Sequence, residues 1–556
     1  MASLTAQEIK ELDHRIDAAV PSQPLLARDR DLALMHLLRF HESYMVGNAT
    51  TPNRGERENA TKHAYDGLHH GVRWVFEYCG SKPGARPLGF KESIYLEAQQ
   101  LHNAAREYSK VWDLMSMLQR GLIKAHQEND DTIHFAFASK LNKEMDVAGG
   151  IINDPYGPEL SEPILMPDVV NDIVRSVTVQ TVSPQLSYQL SDNLFSRMYD
   201  RVSRMTADKW EMDPAWDLGG YTIGQLRILG STLDTLCVIH GEISRRLGSP
   251  TTILGAIIKY HPRSIWERIL VKRSRLPELV VANILSDLIY DPTLYGAGKK
   301  QPHITYQPIF PFGSNILGVS NWLVHVSNME RNLWDLVSIK RPELHSRLRN
   351  LKEDSWIGEL RQRTDQLKLK LCSTIKFEFE GQRSDLDALF IDEASNYGLV
   401  CQLKWLTQPG RVANVIYNDR EIEKGIDQAQ LALKWVQSNP RQLSERTGLS
   451  ADVLARYEFA PVVMCKSTLA SGYLRREGVP VINERIFDWV LGDPHRKDLR
   501  TLWKVGEELS YLPQEGKHFE TMDASVQFAG ITFKLDGLAC LPKAAWKPNV
   551  DMRIPD

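Results

Sequence analysis

The stretch "SDLDALFIDEASNYGLVCQLKW", residues 384–405, decides how the second half of this chain is read. Two apolar runs, "LDALFI" and "LVCQLKW", flank the polar segment "DEASNYG", whose Asn-Tyr-Gly end supplies turn residues, so the stretch reads as a β-hairpin. If residues 392 and 397 flank the loop, Asp387 falls opposite Gln402. Period-two alternation then puts Gln402 and Lys404 on one face of their strand. A carboxylate, an amide oxygen and an ammonium converge where burying them without partners is costly.

That set suits a hard divalent cation. Mg²⁺, or Mn²⁺ in its place, takes oxygen ligands and keeps several waters. Asp387 offers a carboxylate, Gln402 a neutral carbonyl, and the backbone carbonyl of Leu403 a third oxygen. Lys404 is suited to hold or help deprotonate an attacking water, or to offset charge on a phosphate. These are the parts of metal-assisted phosphodiester hydrolysis.

Outward from the hairpin, "DSWIGELRQRTDQLKLKL" (354–371) carries Trp356, Ile357, Leu360, Thr364, Leu367 and Leu371 on one helical stripe. "TIKFEFEG" (374–381) alternates Ile375, Phe377 and Phe379 with Lys376, Glu378 and Glu380, as a half-buried strand does. After the hairpin, "REIEKGIDQAQLALKWVQ" (420–437) is helical, with Ile422, Gly425, Ile426, Ala429, Leu433 and Val436 inward. "FAPVVMCKS" and "GVPVINERIFDWVL" add a strand and a strand–helix unit. The order is helix, three strands, helix, strand, a compact α/β domain over about 350–495.

An acid followed by (D/E)xK on a three-stranded sheet between two helices resembles the core of the restriction-endonuclease-like, PD-(D/E)xK nucleases. Gln at the middle position is similar to the Mrr-type branch of that superfamily. Asp387, Gln402 and Lys404 are the matching residues. Lys424, Gln428 and Gln430 lie on a helix that resembles the second core helix, which often adds a lysine or glutamine to the site. The resemblance implies an αβββαβ nuclease domain and a Mg²⁺-dependent endonuclease, with DNA the expected substrate over RNA. It also implies a role in bacterial restriction or anti-phage defence. Two departures stand out. No proline precedes the acid, so Asp385 competes with Asp387 as ligand, Asp387 being preferred for the apolar residues that follow it. The second carboxylate is missing, which weakens the expected metal binding. The resemblance also implies a glutamate on the first helix, for which Glu359 is the candidate.

The remaining sequence sets the context. At 556 residues, with 42% hydrophobic and 25% charged residues and a net charge of −3, the chain reads as a soluble globular protein of several domains. That balance gives no global basic signal, so nucleic-acid contact requires a local patch. Six scattered cysteines without a CxxC pair, a polar opening segment and apolar runs too short to span a bilayer point to a reduced, cytoplasmic setting without membrane contact. Residues 1–345 show helical periodicity, as in "SIYLEAQQLHNAAREYSKVWDLMSMLQR" (93–120), with a break near 150–168 that would divide two subdomains. This region is expected to sense a signal, dock a protein partner or form a homo-oligomer. Residues 496–556 read as an extension with short strands, such as "SVQFAGITFKLDGLA".

Competing readings come from other classes. One is a nuclease fold that has lost activity and serves as a binding or scaffold protein, with Gln402 the mark of that loss. Another is a helical ribonuclease of the HEPN type, for which "RGLIKAH" (Arg120, His126) and "RDLALMH" (Arg30, His36) fit a loose Arg-to-His spacing. His63, Asp66 and His70 share a helical face that could ligate a metal, but half-exposed histidines on an amphipathic helix explain it as well. "YGAGKKQPH" (295–303) fails as a phosphate loop, with Lys300 where Ser or Thr is required. His240 and Glu242 read as structural, and "HPRSIWERILVKRSR" (261–275) as an amphipathic helix that could also follow a phosphate backbone.

Overall fold

The computed structural model describes residues 4–48, 54–81, 89–153, 171, 173–175, 177–180, 185–207, 210–248, 251–295, 303–406, 412–472, 474, 476–492 and 498–540. The break expected at 150–168 lies, from residue 154 on, outside them, as do residues 296–302 of the glycine-lysine loop. Helices α1 (Arg30–Asn48), α2 (Arg54–Tyr78) and α3 (Glu92–Gln119) pack on one another. In α3 the buried Ile94, Ala98, Leu101, Ala105, Tyr108 and Val111 recur every three or four residues, which turns one face inward. α1 is buried over most of its surface, His36, Arg39, His41 and Glu42 included, as a central helix must be.

This first module is not purely helical. Strands β1 (Ile123–Asn129) and β2 (Thr132–Phe137) form a hairpin after α3, and residues 259–262, 309–312 and 316–319 make a separate three-stranded sheet. A second helical core surrounds α4 (Ile223–Leu247) and α5 (Met329–Lys340), with Leu226, Leu229, Leu233, Leu333 and Trp334 inside it. No helix among the described residues is long and apolar enough to cross a membrane.

The α/β unit begins with α6 (Pro342–Gln366), which starts at a proline in its first turn, twelve residues before the 354–371 stretch read from sequence. It continues through β3 (Lys370–Phe379), β4 (Gln382–Asp392), β5 (Tyr397–Lys404), α7 (Val412–Ser438), β6 (Glu458–Cys465), β7 (Val481–Asn483) and α8 (Glu484–Gly492), followed by α9 (Leu499–Glu508). The sheet order is β7-β6-β5-β4-β3: an antiparallel meander, then two parallel strands reached through α7. Glu380 and Gly381, both at positive φ (51° and 77°), close β3 onto β4 as a two-residue turn. Asp392 caps the next turn by accepting from the Ala394 N–H at 3.0 Å and the Ser395 hydroxyl at 2.6 Å. One core joins Trp356 and Leu360 of α6 to Phe390, Cys401 and Phe487; the other joins Ile375, Phe377 and Val400 to Ala432 and Trp435 of α7.

Residues 519–540 are not a separate extension. Strands β8 (Phe519–Phe528) and β9 (Ile531–Cys540) form a hairpin that completes the first module's sheet in the order β1-β2-β9-β8, with β9 parallel to β2. Phe528 meets Tyr108 of α3 and Phe533 meets Phe135 of β2, so the hairpin is part of that module's core.

Candidate active site

The β4–β5 pairing runs from Asp392↔Tyr397 to Ala388↔Cys401 and stops there, which leaves Asp387 beside Gln402. Beyond that rung, side chains replace the ladder. Asp387 Oδ2 accepts the Leu403 N–H at 2.8 Å, and Gln402 Nε2 donates to the Asp385 carbonyl at 2.8 Å. On the other side of β4 the β3 ladder skips one position: Ser373 pairs with Ala388 and Ile375 with Leu386, but Thr374 does not pair with Asp387. Thr374 has φ 54°, a left-handed conformation that a β-branched residue rarely adopts. Asp387 thus sits where both neighbouring ladders give way. Backbone strain of this kind clusters at functional sites.

Gln402 is 1% exposed, and its Oε1 finds no hydrogen-bond partner among the described residues. Leaving such an acceptor unsatisfied costs about 1–3 kcal/mol. Burial raises the Asp387 carboxyl to about 6, against the Lys404 ammonium and the Leu403 N–H, which favour the charged form, and with Asp385 and Glu353 adding to the rise. Lys404 Nζ donates to Gln428 Oε1 at 2.9 Å. Gly425 lets the lysine lie along α7, because a Cβ there would stand 2.8 Å from Lys404 Cε. A half-buried carboxylate, an orphaned amide oxygen and a fixed ammonium therefore share one end of the sheet. This donor set fits a hard divalent cation, for which an unpartnered neutral oxygen beside a carboxylate is a ready ligand.

Other expected residues lie elsewhere. Glu359 is bound to Lys466 at 2.8 and 3.0 Å, and that ammonium lies 3.6 Å from the Trp405 ring centre. The α6 acid whose charge acts on Asp387 is Glu353, nearly two turns earlier. Its signal was its place one turn ahead of the buried Trp356 and Ile357, once α6 is allowed to begin at Pro342. Lys424 is 68% exposed and bonds Glu421 at 2.7 Å, and Gln430 accepts from Arg476 at 2.7 Å.

The remaining candidates are placed by packing. His126 is on strand β1 and Arg120 caps the end of α3 with an ion pair to Asp419 at 3.7 Å, so they do not share the helical setting the ribonuclease reading needs. His36 is fully buried with both ring nitrogens engaged, by the Leu32 carbonyl at 2.9 Å and the Lys91 N–H at 3.0 Å. His70 packs among Trp74, Tyr108 and Trp112, while Asp66 lies 3.6 Å from His303. Among the described residues no group of three or more His, Cys, Asp or Glu is arranged to hold a metal. His240 bonds the Ala256 carbonyl at 3.1 Å, and Glu242 holds Arg245 and Arg246. The 261–275 stretch ends a strand at Pro262 and is helical over Arg263–Ser274, where Arg263 pairs with Glu267 and Arg273 with Asp192.

The chain matches no protein-family model, no curated protein and no solved structure.

Proposed function

We propose that the chain is a Mg²⁺-dependent endonuclease that hydrolyses DNA phosphodiesters, with a PD-(D/E)xK-like site of the Mrr type in its α/β unit. The observation that carries this reading is the buried Gln402 Oε1, unpartnered among the described residues, next to the half-buried Asp387 and within the same strand end as Lys404. A structural glutamine would be selected to satisfy both ends of its amide, and this one satisfies only its Nε2.

Asp387, Gln402 and the Leu403 carbonyl would hold the cation, with Glu353 adding charge from α6. When bound, the cation supplies Lewis-acid polarisation of the phosphate and lowers the pKa of water. The chain does the rest. The Leu403 N–H fixes Asp387, and Gln428 fixes the Lys404 ammonium, which orients the attacking water and balances charge gathering on the phosphate oxygens. Water oxygen bonds to phosphorus, one P–O ester bond breaks, and the departing oxygen gains a proton. By the same resemblance we place the protein in the bacterial cytoplasm, in restriction or anti-phage defence.

The test uses covalently closed plasmid with Mg²⁺ or Mn²⁺, the full chain, and its Asp387→Ala and Lys404→Ala forms. Nicking or linearisation by the native protein, reduced at least about 100-fold in both variants, is expected from loss of a transition-state interaction. Equal cutting by all three removes the site assignment. No cutting by a folded protein with either ion favours the scaffold reading.

A further inference from the structure

The end of β5 that carries the site has lost its neighbour on one side. The β4–β5 ladder stops at Ala388↔Cys401, and Gln402, Leu403 and Lys404 lie beyond its last rung. What reaches them from β4 is the Asp387 carboxylate, on the Leu403 N–H at 2.8 Å, and the Asp385 carbonyl, on the Gln402 amide at 2.8 Å. A segment paired along one edge alone is free to swing about that edge. Mg²⁺ asks for oxygens at about 2.0–2.1 Å in a near-octahedral array, so the strand end needs a second anchor.

Lys466, the residue after β6, supplies one. The parallel strands β5 and β6 stay in register to Lys404↔Cys465, and one residue further the Lys466 N–H donates to the Lys404 carbonyl at 3.1 Å. Its side chain meets the next residue of the other strand, with the ammonium 3.6 Å from the Trp405 ring centre. Both oxygens of Glu359, on α6, accept from that ammonium at 2.8 and 3.0 Å. One residue thus joins the end of β5, the end of β6 and α6. From α6, the buried Lys352 sets a second ammonium 4.6 Å from the same ring, and the Trp356 ring meets it edge-on at 6.2 Å. A cation is drawn to an indole face more strongly where water is excluded, and the Lys466 side chain is only 8% exposed. An ion pair on so buried a lysine adds little net stability over an apolar pair. Its place at the strand end, one residue from Lys404 across the ladder, gives it a use that stability does not.

We propose that Lys466 is a positioning residue of the site, which pins Trp405 and so holds the Leu403 carbonyl and Lys404 where the cation and the attacking water need them. Glu359 then acts at one remove: the α6 acid expected to bind metal orients the lysine that anchors the strand. The proposal deepens the nuclease reading and rests on it for the chemistry, but the placement of the strand end is also measurable as metal affinity, without cleavage. The experiment uses the full chain and its Lys466→Met, Lys466→Arg and Trp405→Leu forms. Electron paramagnetic resonance of free Mn²⁺ gives the affinity, plasmid nicking gives kcat and KM, and thermal melts give stability. Lys466→Met keeps the stem and removes the charge. It should weaken Mn²⁺ binding and lower kcat, each at least about tenfold, as loss of a group that orients metal ligands does, with KM for DNA unchanged. Lys466→Arg keeps the charge, forks onto a carboxylate and stacks on an indole, so it should recover most of both. Trp405→Leu should reproduce the methionine form, and it carries the test if Lys466→Met does not fold. Native affinity and kcat in Lys466→Met and Trp405→Leu, or an arginine form as weak as the methionine one, overturns the proposal and leaves the nuclease reading intact. Losses that only track a falling melting temperature overturn it too, because they make Lys466 a part of the core. A native protein that binds no Mn²⁺ overturns both readings. Lys466-dependent Mn²⁺ binding without cutting by the native protein supports the anchor and removes the nuclease reading.

Discussion

Burial raises the Asp387 carboxyl to about 6, well above the usual carboxylate range, although Lys404 and the Leu403 N–H both favour its ionised form. The native state therefore binds this proton more tightly than the unfolded chain between pH 4 and 6. Its stability relative to the unfolded chain declines as pH rises through that window, and above pH 6 the ionised carboxylate is a standing cost. Asp387→Asn keeps an oxygen for the Leu403 N–H and removes the charge, so it should stabilise the protein by about 1–2 kcal/mol at pH 8. The gain should shrink as pH falls toward 4, which thermal melts at several pH values would follow. Activity should move the other way: the cleavage rate of the native protein should rise about tenfold per pH unit up to a plateau near 6, because the carboxylate is the working form. An Asn variant no more stable than the native protein at pH 8 would show that the carboxylate is better solvated than its burial implies. Asp387 and Gln402 were legible as neighbours because side-chain alternation and the turn residues fix the register of a hairpin. Glu353 was not, because a helix start hidden behind Pro342 cannot be placed from the apolar stripe alone.

At the scale of elements, the kink in β3 is the feature that sequence gave no means of finding. "TIKFEFEG" reads as a regular strand from its first residue, and its alternation from Ile375 on is obeyed. Thr374 nevertheless turns left-handed opposite Asp387, and the β3–β4 ladder skips that one rung before resuming at Ile375↔Leu386. A left-handed conformation costs an L-residue about 1–2 kcal/mol, and glycine escapes that cost at the expense of about 0.4–1 kcal/mol of extra freedom in the unfolded chain. Thr374→Gly should thus stabilise the protein by about 0.5–1 kcal/mol, the difference between those two terms, read as a higher urea midpoint at unchanged slope. A lower midpoint would mean that residue 374 is extended in solution, and with it that the Asp387 backbone is paired rather than freed. For α7 the apolar period serves better: Ile422, Gly425, Ile426, Ala429 and Val436 face inward and are buried, Leu433 is half-buried, and Ala432 and Trp435 complete the inward face.

At the scale of the whole molecule, the first module is assembled from both ends of the chain. Sequence periodicity shows that 519–528 and 531–540 favour strands, but which sheet they join depends on a parallel pairing with β2 some four hundred residues away, and nothing local encodes that. The energetic weight of the pairing follows from what it buries. Phe519, Val526, Phe528, Ile531 and Phe533 are all buried, and each such side chain is worth about 1.5–3 kcal/mol on leaving water. Their sum is comparable to the entire stability of a typical domain, about 5–15 kcal/mol. A chain ending at Gln514 keeps α9 and the whole α/β unit, so the two modules should part company. Its first module should lose cooperative unfolding, with rapid proteolysis or hydrogen exchange in residues 30–137, while β4, β5 and α7 keep their protection. If α1 to α3 stay protected in the shortened chain, the helices hold the module by themselves and the hairpin is an attachment. If protection is lost around Asp387 as well, the α/β unit depends on the module beside it, through contacts such as Lys352 between Trp334 and Trp405.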